Sequence, residues 1–429
     1  MDLIISGKGK KLIGEITVPG DKSISHRSII IGSLAEGITT VNNILMSEDV
    51  KRTIKCFQDM GVDIKEDGHR IFIEGVGLYG LNKPNNILDC GNSGTTIRLL
   101  SGVLIGQKFS TTLTGDKSLI NRPMDRIIIP LRKMGGNING REDKYPPLEI
   151  KPTVDNLKGI SYELPVASAQ VKSSILLATL YGKGTTKVVE NKTTRDHTER
   201  MLKYFGGQVF NEDGEIHMES NSHLVGKDIY IPGDISSAAY FMVASSLIEG
   251  SHIVIKNVGI NPTRTGIIHV LKEMGADINI LNEKIINNEP IADIEVKYAP
   301  LKGCKIEGKI IGRLIDELPI IAVAAALADG RTIIRDAKEL RYKESDRIKA
   351  MSVELSKMGA KIEELSDGMI IDGVDRLRPA KLNSYGDHRI AMALTIATLR
   401  AKDKSSIHGF EFINISYPGF YKTLDYLLL

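Results

Sequence analysis

The sequence predicts an α/β protein of two domains, each of which contains three copies of one strand–helix unit. Three observations lead to this prediction. The chain of 429 residues is too long for one ordinary hydrophobic core, so two domains of about 200 residues each are expected. A helix-ending dipeptide recurs along the chain, and apolar runs rich in β-branched residues lie between its copies. Two nearly identical Pro-Gly turns mark the predicted domain boundaries.

The recurring dipeptide identifies five of six predicted repeats. In each copy a glycine follows an amphipathic stretch, and the left-handed conformation just past a helix end favours glycine. The intervals of 74, 71, 69 and 84 residues are too regular for chance. A second series of helices, rich in small and apolar residues, precedes these ends. The dipeptides are Met60-Gly61, Met134-Gly135, Phe205-Gly206, Met274-Gly275 and Met358-Gly359, and the preceding helices begin near Asp21, Asn92, Pro165, Pro232, Asp316 and Asp387.

Strands are predicted between the two helices of each repeat, as at residues 184–189 and 330–334. More strands follow each helix-ending glycine. Each repeat is therefore predicted as strand, helix, strand, helix, strand and one further strand. The longest interval places an insertion at residues 279–299.

Two Pro-Gly turns are predicted to be hinges between the domains. Their sequences are Val18-Pro19-Gly20-Asp21 and Ile231-Pro232-Gly233-Asp234. The predicted domains are residues 20–231 and residues 1–19 plus 232–429, with hinges near 18–21 and 231–234 and a first strand over residues 2–17. Two ordinary surface turns are the alternative interpretation, because Pro-Gly is common in loops.

The composition predicts a soluble protein with neither a nucleic-acid nor a membrane partner. Hydrophobic residues make up 42% of the chain and charged residues 25%, and 56 basic against 53 acidic residues give a net charge of +3. No basic tract of five residues occurs, so any anion site has to gather its cations locally. No apolar run reaches 18 residues, and no signal peptide is expected at the N-terminus.

Cysteine and histidine usage predicts a cytoplasmic protein without a metal site. Cys56, Cys90 and Cys304 are odd in number and far apart in sequence, which argues against a disulfide framework and fits a reducing compartment. We expect them to be structural. The chain contains no CxxC or HExxH spacing, so no metal is expected.

The first candidate site is Gly20-Asp21-Lys22-Ser23-Ile24-Ser25-His26-Arg27, at the start of a predicted helix. Free backbone N–H groups and the dipole at a helix start attract an anion, and Lys22 and Arg27 add cations there. The segment therefore predicts a phosphate or carboxylate site. An N-cap serine with two solvated cations is the alternative.

The second candidate site is Asp89-Cys90-Gly91-Asn92-Ser93-Gly94-Thr95-Thr96-Ile97-Arg98. Two glycines flank Asn92 and Ser93 before an apolar helix, so the backbone can approach a ligand closely. The segment lacks the Gly-Lys-Ser/Thr ending of a nucleotide P-loop, and ATP is not implied. A plain turn with a capped helix explains this segment equally well.

Further polar segments precede or open predicted helices. They are Arg122-Pro123, Ser168-Ala169-Gln170-Val171-Lys172 and Arg195-Asp196-His197-Thr198-Glu199. Arginine before a helix opposes the helix dipole, so an anionic partner is expected beside it. A surface arginine without a role is the alternative for each.

The second predicted domain carries acids among cations. The residues are Asp316-Glu317, Arg341-Tyr342-Lys343-Glu344-Ser345-Asp346-Arg347, Asp387-His388-Arg389 and Lys422. Asp316 and Glu344 are candidates for an acid and a base, and a solvated, salt-bridged helix face is the alternative for residues 343–347. Because repeats bring equivalent helix starts to one face, we expect a cleft between the domains that traps a multiply charged anion and excludes water on closing.

Four of these segments, in this order, resemble the signature segments of the 5-enolpyruvylshikimate-3-phosphate synthase family. They are Gly20-Asp21-Lys22-Ser23, Asn92-Ser93-Gly94-Thr95, Lys343-Glu344-Ser345-Asp346-Arg347 and Asp387-His388-Arg389. The resemblance extends to Lys422, and the joint match is highly specific although each segment alone is weak. The segments at 168–172, 195–199 and 261–264 resemble a bacterial subgroup, class II, in which many members tolerate glyphosate.

The resemblance implies a fold, a reaction and a set of site residues. The fold is a two-domain inside-out α/β barrel, with three βαβαββ units in each domain. The reaction transfers the enolpyruvyl group of phosphoenolpyruvate to the 5-hydroxyl of shikimate 3-phosphate in the shikimate pathway, by a monomer that uses no cofactor and no metal. The residues implied for shikimate 3-phosphate are Lys22, Ser23, Arg27, Ser168, Ala169, Gln170, Arg195, Asp316 and Lys343. Those implied for phosphoenolpyruvate are Lys22, Asn92, Gly94, Thr95, Arg122, Gln170, Arg347, Arg389 and Lys422.

The implied chemistry suits these residue types. The 5-hydroxyl attacks C2 of phosphoenolpyruvate while C3 gains a proton, and phosphate then leaves the tetrahedral intermediate as the new methyl group loses a proton. Both an acid and a base are required, and each works in reverse in the second half. We expect Glu344 to be the acid at C3, with Asp316 and Lys22 on the hydroxyl and phosphate side. The arginines orient the anions and neutralise their charge.

Three other functions compete with this interpretation. Enolpyruvyl transferases that act on UDP-N-acetylglucosamine carry Asn beside the first Lys and commonly a reactive Cys before their Arg-Pro. Here Ser23 follows Lys22, and residues 115–121 contain no cysteine. A non-catalytic anion-binding protein would gain nothing from Asp316 and Glu344. Nucleic-acid binding is disfavoured because the chain has no Trp and only 5% aromatic residues, too few for a base-stacking surface.

An added methyl at Gly94 is one family route to glyphosate tolerance, and this chain keeps the glycine.

Overall fold

The chain divides into two compact units in the computed structural model, which describes residues 2–5, 11–68, 70–212, 214–220 and 222–429. Gly20–Ile231 together with Ile286–Glu289 is called the first unit below. The second unit consists of Pro232–Ile285, Pro290–Leu429 and the described part of Met1–Pro19. Residues 6–10 of the strand predicted over residues 2–17 lie outside the described residues.

The helices begin at the polar residues that the sequence places before them. Side-chain oxygens of Asp21, Ser47, Ser93, Ser168, Asp234, Asp346 and Asp387 accept backbone N–H bonds at seven helix starts. In the described ranges the α-helices are α1 (Lys22–Leu34), α2 (Glu48–Asp59), α3 (Gly94–Leu104), α4 (Asp125–Lys133), α5 (Ala169–Thr179), α6 (His197–Phe205), α7 (Ile235–Leu247), α8 (Gly266–Glu273), α9 (Leu318–Ala326), α10 (Arg347–Lys357), α11 (His388–Thr398) and α12 (Phe420–Leu427). None of these is long and apolar enough to cross a membrane.

The glycines of the recurring dipeptide end five of these helices in the predicted way. All five have φ between 88° and 108°, in the left-handed region that side chains with a Cβ rarely adopt. They are Gly61, Gly135, Gly206, Gly275 and Gly359. The prediction made from the repeat is confirmed at each position.

The strands are short, and they alternate with the helices along the chain. They are β1 (Asp2–Ile5), β2 (Ile13–Thr17), β3 (Glu36–Asn42), β4 (Asp63–Asp67), β5 (Arg70–Val76), β6 (Leu88–Asp89), β7 (Thr111–Thr114), β8 (Asn137–Arg141), β9 (Tyr145–Lys151), β10 (Leu157–Lys158), β11 (Ser161–Glu163), β12 (Gly182–Lys183), β13 (Thr185–Val189), β14 (Val209–Glu212), β15 (Glu215–Glu219), β16 (Asp228–Tyr230), β17 (His252–Gly259), β18 (Asp277–Ile286), β19 (Glu289–Lys297), β20 (Lys305–Ile306), β21 (Arg331–Ile334), β22 (Lys361–Leu365), β23 (Gly368–Asp372), β24 (Lys381–Asn383) and β25 (Ser405–His408). The insertion predicted at residues 279–299 falls on the long strands β18 and β19.

One sheet pattern recurs in both units. In the first unit, the orders β16-β3-β5-β4, β6-β7-β9-β8 and β11-β13-β15-β14 each begin with a parallel pair and continue with antiparallel pairs. In the second unit, β20-β21-β23-β22 repeats the pattern, and β2-β17-β19 and β24-β25-β1 repeat its first three strands. The predicted α/β class is confirmed.

The core of each unit consists largely of the helices that are rich in small and apolar residues. Almost every residue of α1, α3 and α5 is buried in the first unit, and all of α7 and α9 are buried in the second. A helix that is surrounded by protein needs no polar face, which explains why α1, α5, α7 and α9 lack a strong amphipathic pattern. The polar motifs at residues 20–27, 89–98, 168–172 and 316–317 stand at the starts of α1, α3, α5 and α9, so packing of the core fixes their positions.

Candidate active site

The start of α1 carries a half-buried cation in the first unit. Asp21 caps the helix, with its Oδ1 2.9 Å from the Ile24 backbone nitrogen. Lys22 and Ser23 follow in the first turn and are half-buried. The Lys22 ammonium group forms an ion pair with Asp49, which opens α2. The predicted phosphate site therefore includes an acidic partner from a second helix.

Arg27 lies one turn further along α1 and is buried. Its Nε donates to Thr198 Oγ1 at 2.6 Å, its Nη2 to Ser173 Oγ at 2.7 Å and its Nη1 to the Ser23 carbonyl at 2.9 Å. Burial lowers the pKa of Arg27 to about 10, and the nearby charge of Arg195 acts in the same direction. Arg27 thus ties α1 to α5 and α6, the helices that begin beside Ser168 and Arg195.

His26 is fully buried beside these charged residues. Its Nδ1 lies 2.8 Å from Thr53 Oγ1 on α2, and its Nε2 has no hydrogen-bond partner among the described residues. Burial lowers the pKa of His26 to about 3. The charges of Lys22 and Arg27 act in the same direction, against those of Asp49 and Asp21. His26 is therefore neutral at physiological pH.

Replacing His26 with asparagine should remove one source of acid sensitivity. Because the unfolded chain protonates His26 near pH 6.5 and the folded chain does so near pH 3, stability falls as pH drops below 6.5. Between pH 7.5 and 5.5 the wild type should lose about 1.4 kcal/mol more unfolding free energy than the variant. Urea unfolding at the two pH values measures this difference. An equal loss in both proteins would mean that His26 does not resist protonation.

A cluster of polar groups surrounds the start of α3, also in the first unit. Arg122 Nη2 donates to Asn92 Oδ1 at 2.6 Å, and Asn92 Nδ2 donates to Asp116 Oδ2 at 2.7 Å. A Cβ on Gly94 would lie 2.9 Å from Arg98 Nη1 and 3.5 Å from Arg122 Nη1. Glycine at position 94 therefore leaves room for two guanidinium groups.

Gln170 joins the start of α5 to this cluster. Its Oε1 accepts from Arg98 Nη1 at 2.5 Å, and its Nε2 donates to Thr95 Oγ1 at 2.9 Å. Ser168 caps α5 and Ala169 is its first residue. The arginine cluster below means Asn92, Gly94, Thr95, Arg98, Arg122 and Gln170. Arg98 was quoted only within its motif and was given no substrate, although its position one helical turn after Gly94 could have identified it.

A second cluster, of acids and cations, lies in the second unit. Arg347 is almost fully buried, and its Nη2 donates to Glu344 Oε2 at 2.6 Å. Its Nε donates to Asp387 Oδ2 at 2.8 Å, and its Nη1 to Asp316 Oδ1 at 3.2 Å. Lys343 Nζ and Arg389 Nη2 lie 3.4 and 3.9 Å from the Asp316 carboxylate. The acid cluster below means Asp316, Lys343, Glu344, Arg347, Asp387 and Arg389.

Two members of the acid cluster, Arg347 and Asp387, hold each other in the ionised state. Burial alone would lower the pKa of Arg347, but the carboxylates of Asp387 and Glu344 outweigh it and raise that pKa. Burial alone would raise the pKa of Asp387, but Arg347 outweighs it and lowers that pKa. The side chain of Glu344 remains 31% exposed, against 11% for Asp316. Glu344 is thus the carboxylate of this cluster that is most open to a reacting molecule.

Two further predicted residues, Lys422 and Arg195, belong to neither the arginine cluster nor the acid cluster as defined above. Lys422 is exposed on α12, and no side-chain hydrogen bond or ion pair in the described part of the chain joins it to the acid cluster. Arg195 is half-buried just before α6. Asp387 was quoted only within its motif, although an aspartate directly before a helix signals an N-cap. No group of three or more His, Cys, Asp or Glu in the described ranges could hold a metal ion.

The repeated α/β fold and these two clusters define a candidate enzyme that binds small anions and transfers protons. A family model for EPSP synthase (3-phosphoshikimate 1-carboxyvinyltransferase) matches residues 7–424. The chain is 54% identical over 427 residues to the 3-phosphoshikimate 1-carboxyvinyltransferase of Thermoanaerobacter sp. (strain X514), with 100% of both chains covered. It is 51% identical over 422 residues to that of Geotalea daltonii, with 98% of both covered.

A solved structure agrees with these sequence relatives. EPSP synthase from Acinetobacter baumannii matches with a TM-score of 0.90 and 46% identity, over 99% of this chain and 98% of that one. The chain belongs to the EPSP synthase family. The resemblance stated from its motifs is confirmed, and so is the enzyme class that it implies.

Proposed function

We propose that the chain transfers the enolpyruvyl group of phosphoenolpyruvate to the 5-hydroxyl of shikimate 3-phosphate, with the residues of the arginine and acid clusters as its working groups. Membership of the family supports this reaction and its place in the shikimate pathway of aromatic amino acid biosynthesis. One observation carries the residue assignment: Glu344 is held by the buried Arg347 yet remains open to a reacting molecule. A monomeric state and a cytoplasmic location stay predictions.

In this proposal the first unit supplies most of the anion binding. Lys22, Ser23 and Arg27, together with Ser168, Ala169, Gln170 and Arg195, would bind shikimate 3-phosphate. Lys22 and the arginine cluster would bind phosphoenolpyruvate. Helix starts and guanidinium groups stabilise phosphate and carboxylate by oriented N–H donors and by positive charge.

The second unit would supply the proton transfers. As the hydroxyl oxygen bonds to C2, the electron pair of the C2–C3 double bond takes a proton at C3, which Glu344 supplies. Asp316, assisted by Lys22 of the first unit, would take up the hydroxyl proton. The bond from C2 to the phosphate oxygen then breaks, and phosphate leaves with that electron pair and takes the proton held by Asp316. A methyl proton returns to Glu344, and the electron pair of the broken C–H bond forms the new C2–C3 double bond. Lys343 would contact shikimate 3-phosphate, and Arg347, Arg389 and Lys422 would neutralise phosphoenolpyruvate.

Replacing Arg122 with glutamine tests the assignment of the arginine cluster. We expect KM for phosphoenolpyruvate to rise about 10- to 100-fold, because hydrogen bonds from a charged group contribute about 1.5–3 kcal/mol. KM for shikimate 3-phosphate should stay within about twofold. Phosphate release measured while each substrate is varied in turn gives both constants. Arg132→Gln is the matched control, since Arg132 is a partly exposed arginine of the same unit that pairs with Asp143.

The same assay tests the reaction itself. Phosphate release should require both substrates. Release that needs UDP-N-acetylglucosamine instead of shikimate 3-phosphate would identify the rival transferase. A rise in KM for shikimate 3-phosphate alone in Arg122→Gln would move Arg122 to the other substrate.

A further inference from the structure

A continuous chain of hydrogen bonds between buried side chains runs from α1 through α2 to the start of α3. His26 Nδ1 lies 2.8 Å from Thr53 Oγ1, Thr53 Oγ1 lies 2.7 Å from Thr96 Oγ1, and Thr96 Oγ1 lies 2.7 Å from Ser93 Oγ. All four residues are completely shielded from solvent. The buried relay below means His26, Thr53, Thr96 and Ser93.

The hydrogen positions in the buried relay follow from counting donors. Each threonine has one hydroxyl proton, and that of Thr96 is directed at Ser93 Oγ. The Thr53 proton serves the 2.7 Å contact with Thr96 in preference to the 3.5 Å contact with the Asp49 carbonyl, because the shorter bond is the stronger one. Thr53 then accepts from His26 Nδ1–H. This places the bare ring nitrogen at Nε2, the atom without a partner in the described part of the chain. The neutral state of His26 matches this arrangement.

The buried relay lies one helical turn below the Lys22–Asp49 ion pair. His26 follows Lys22 by four residues on α1, and Thr53 follows Asp49 by four residues on α2. Residues four apart lie on the same helix face, so the two contacts form parallel connections between the same two helices. The orientation of the Lys22–Asp49 pair is therefore coupled to the buried contact beneath it.

At its other end the buried relay controls the start of α3. Ser93 is the N-cap of α3, and its Oγ accepts from the Thr96 backbone nitrogen at 3.1 Å. Asn92 and Gly94, on either side of Ser93, belong to the arginine cluster. Nearby buried hydroxyls behave differently: Ser101 Oγ donates to the Ile97 carbonyl at 2.7 Å, within its own helix. The hydroxyls of Thr53 and Thr96 instead join α2 to α3 by a 2.7 Å contact, beside longer contacts of 3.5 Å with the Asp49 carbonyl.

We propose that His26, Thr53 and Thr96 are positioning residues that fix the start of α3 relative to Lys22, and that phosphoenolpyruvate binding depends on this connection. The inference rests on the proposed assignment of Asn92, Gly94 and Thr95 to phosphoenolpyruvate. The three side chains have no surface exposed to a substrate, so their effect has to be indirect. They act through Ser93, which sets the direction of the α3 amides, and through the Lys22–Asp49 pair. Because the hydrogen bonds of the buried relay are continuous, each bond orients the next, and the start of α3 is held rigidly relative to Lys22.

Replacing Thr96 with valine tests the proposal, because valine keeps the shape of threonine and removes the hydroxyl. Valine removes both 2.7 Å hydrogen bonds of the Thr96 hydroxyl. We expect KM for phosphoenolpyruvate to rise about tenfold, which corresponds to about 1.4 kcal/mol of binding free energy. KM for shikimate 3-phosphate should stay within about twofold. Thr96→Ser keeps the hydroxyl and should restore most of the affinity. Thr53→Val removes the hydroxyl that lies between His26 and Thr96, and it should show the same selective effect on KM for phosphoenolpyruvate.

Thr39→Val is the matched control for these variants. Thr39 is equally buried in the same unit, and its hydroxyl has no partner in the described ranges, so both KM values should stay at wild-type levels. The proposal would be overturned if Thr96→Val changed kcat and both KM values in proportion and Thr96→Ser did not restore them. The relay would then have a structural role only.

Arg122→Gln distinguishes a failure of the positioning role from a failure of the phosphoenolpyruvate site assignment. If it raises KM for phosphoenolpyruvate and Thr96→Val does not, only the positioning role is wrong. If Arg122→Gln also has no effect on that KM, the site assignment itself is wrong.

Discussion

Replacing Glu344 with glutamine is expected to lower kcat by about 100- to 10,000-fold, the usual contribution of a general acid–base group. Glutamine keeps the size of the side chain and can still accept from Arg347, but its amide cannot give a proton to C3 or take one back. KM for either substrate should change much less, because the cations around the site remain. Steady-state phosphate release measures the forward reaction, and phosphate consumption with the enolpyruvyl product measures the reverse.

The loss should occur in both directions, because one carboxyl group serves both halves of the reaction. Glu363→Gln is the matched control: Glu363 is an exposed glutamate on β22 of the same unit, so this variant should keep wild-type turnover. Deuterium uptake from D2O into the vinyl group of phosphoenolpyruvate gives a second readout, since reversible protonation at C3 exchanges those hydrogens. Full turnover of Glu344→Gln in both directions would remove Glu344 from the chemistry.

The sequence was sufficient where the signal is local. The left-handed glycines, such as Gly206 at φ 108°, follow amphipathic helices at regular intervals, and their conformation depends on the adjacent chain alone. Helix starts behave in the same way, since Asp21 and Asp387 lie directly before the helices that they cap. The motifs that carry the family resemblance are of this kind, with most of each motif in one turn and the first residues of a helix.

The sequence was insufficient where partners come from distant segments. Lys22 was predicted as a substrate cation, but nothing near it indicates Asp49, which meets it only through packing of α2 on α1. The contact of Gln170 with Arg98 joins residues 72 positions apart, and that of Arg27 with Thr198 joins residues 171 apart. For a histidine in a polar motif, the sequence cannot show whether it faces solvent or a buried threonine. His26 faces a buried threonine because α2 packs against its side of α1.

Replacing Arg347 with methionine is expected to destabilise the protein by about 3–5 kcal/mol, the range for breaking a buried ion pair from one side. Methionine fills a similar length, so the main loss is the charge that balances Asp387, whose side chain is fully buried. About 1 kcal/mol shifts Tm by roughly 2–4 °C in a unit of this size, so Tm should fall by about 6–20 °C. Turnover should also fall, because Glu344 loses the bond that orients it.

The pH dependence distinguishes a lost charge from lost packing. In the wild type Arg347 keeps the pKa of Asp387 below its ordinary value of 3.8, so this stabilisation is present at neutral pH and is lost only as pH falls through that lowered pKa. Without Arg347, burial raises the pKa of Asp387, and the carboxyl group takes up a proton at milder acidity. The stability difference between wild type and variant should therefore shrink between pH 7.5 and pH 5.

Two further variants complete this test. Adding Asp387→Asn to Arg347→Met should recover part of the lost Tm, because a buried amide needs no cation. Arg335→Met removes a partly exposed arginine that pairs with Asp367 in the same unit, and its cost should stay below about 1 kcal/mol. If Arg347→Met cost no more than Arg335→Met, or if its cost were the same at pH 5 and pH 7.5, then Asp387 would not depend on Arg347. Packing, and not the charge of Arg347, would in that case stabilise the acid cluster. A group other than Arg347 would then have to orient Glu344.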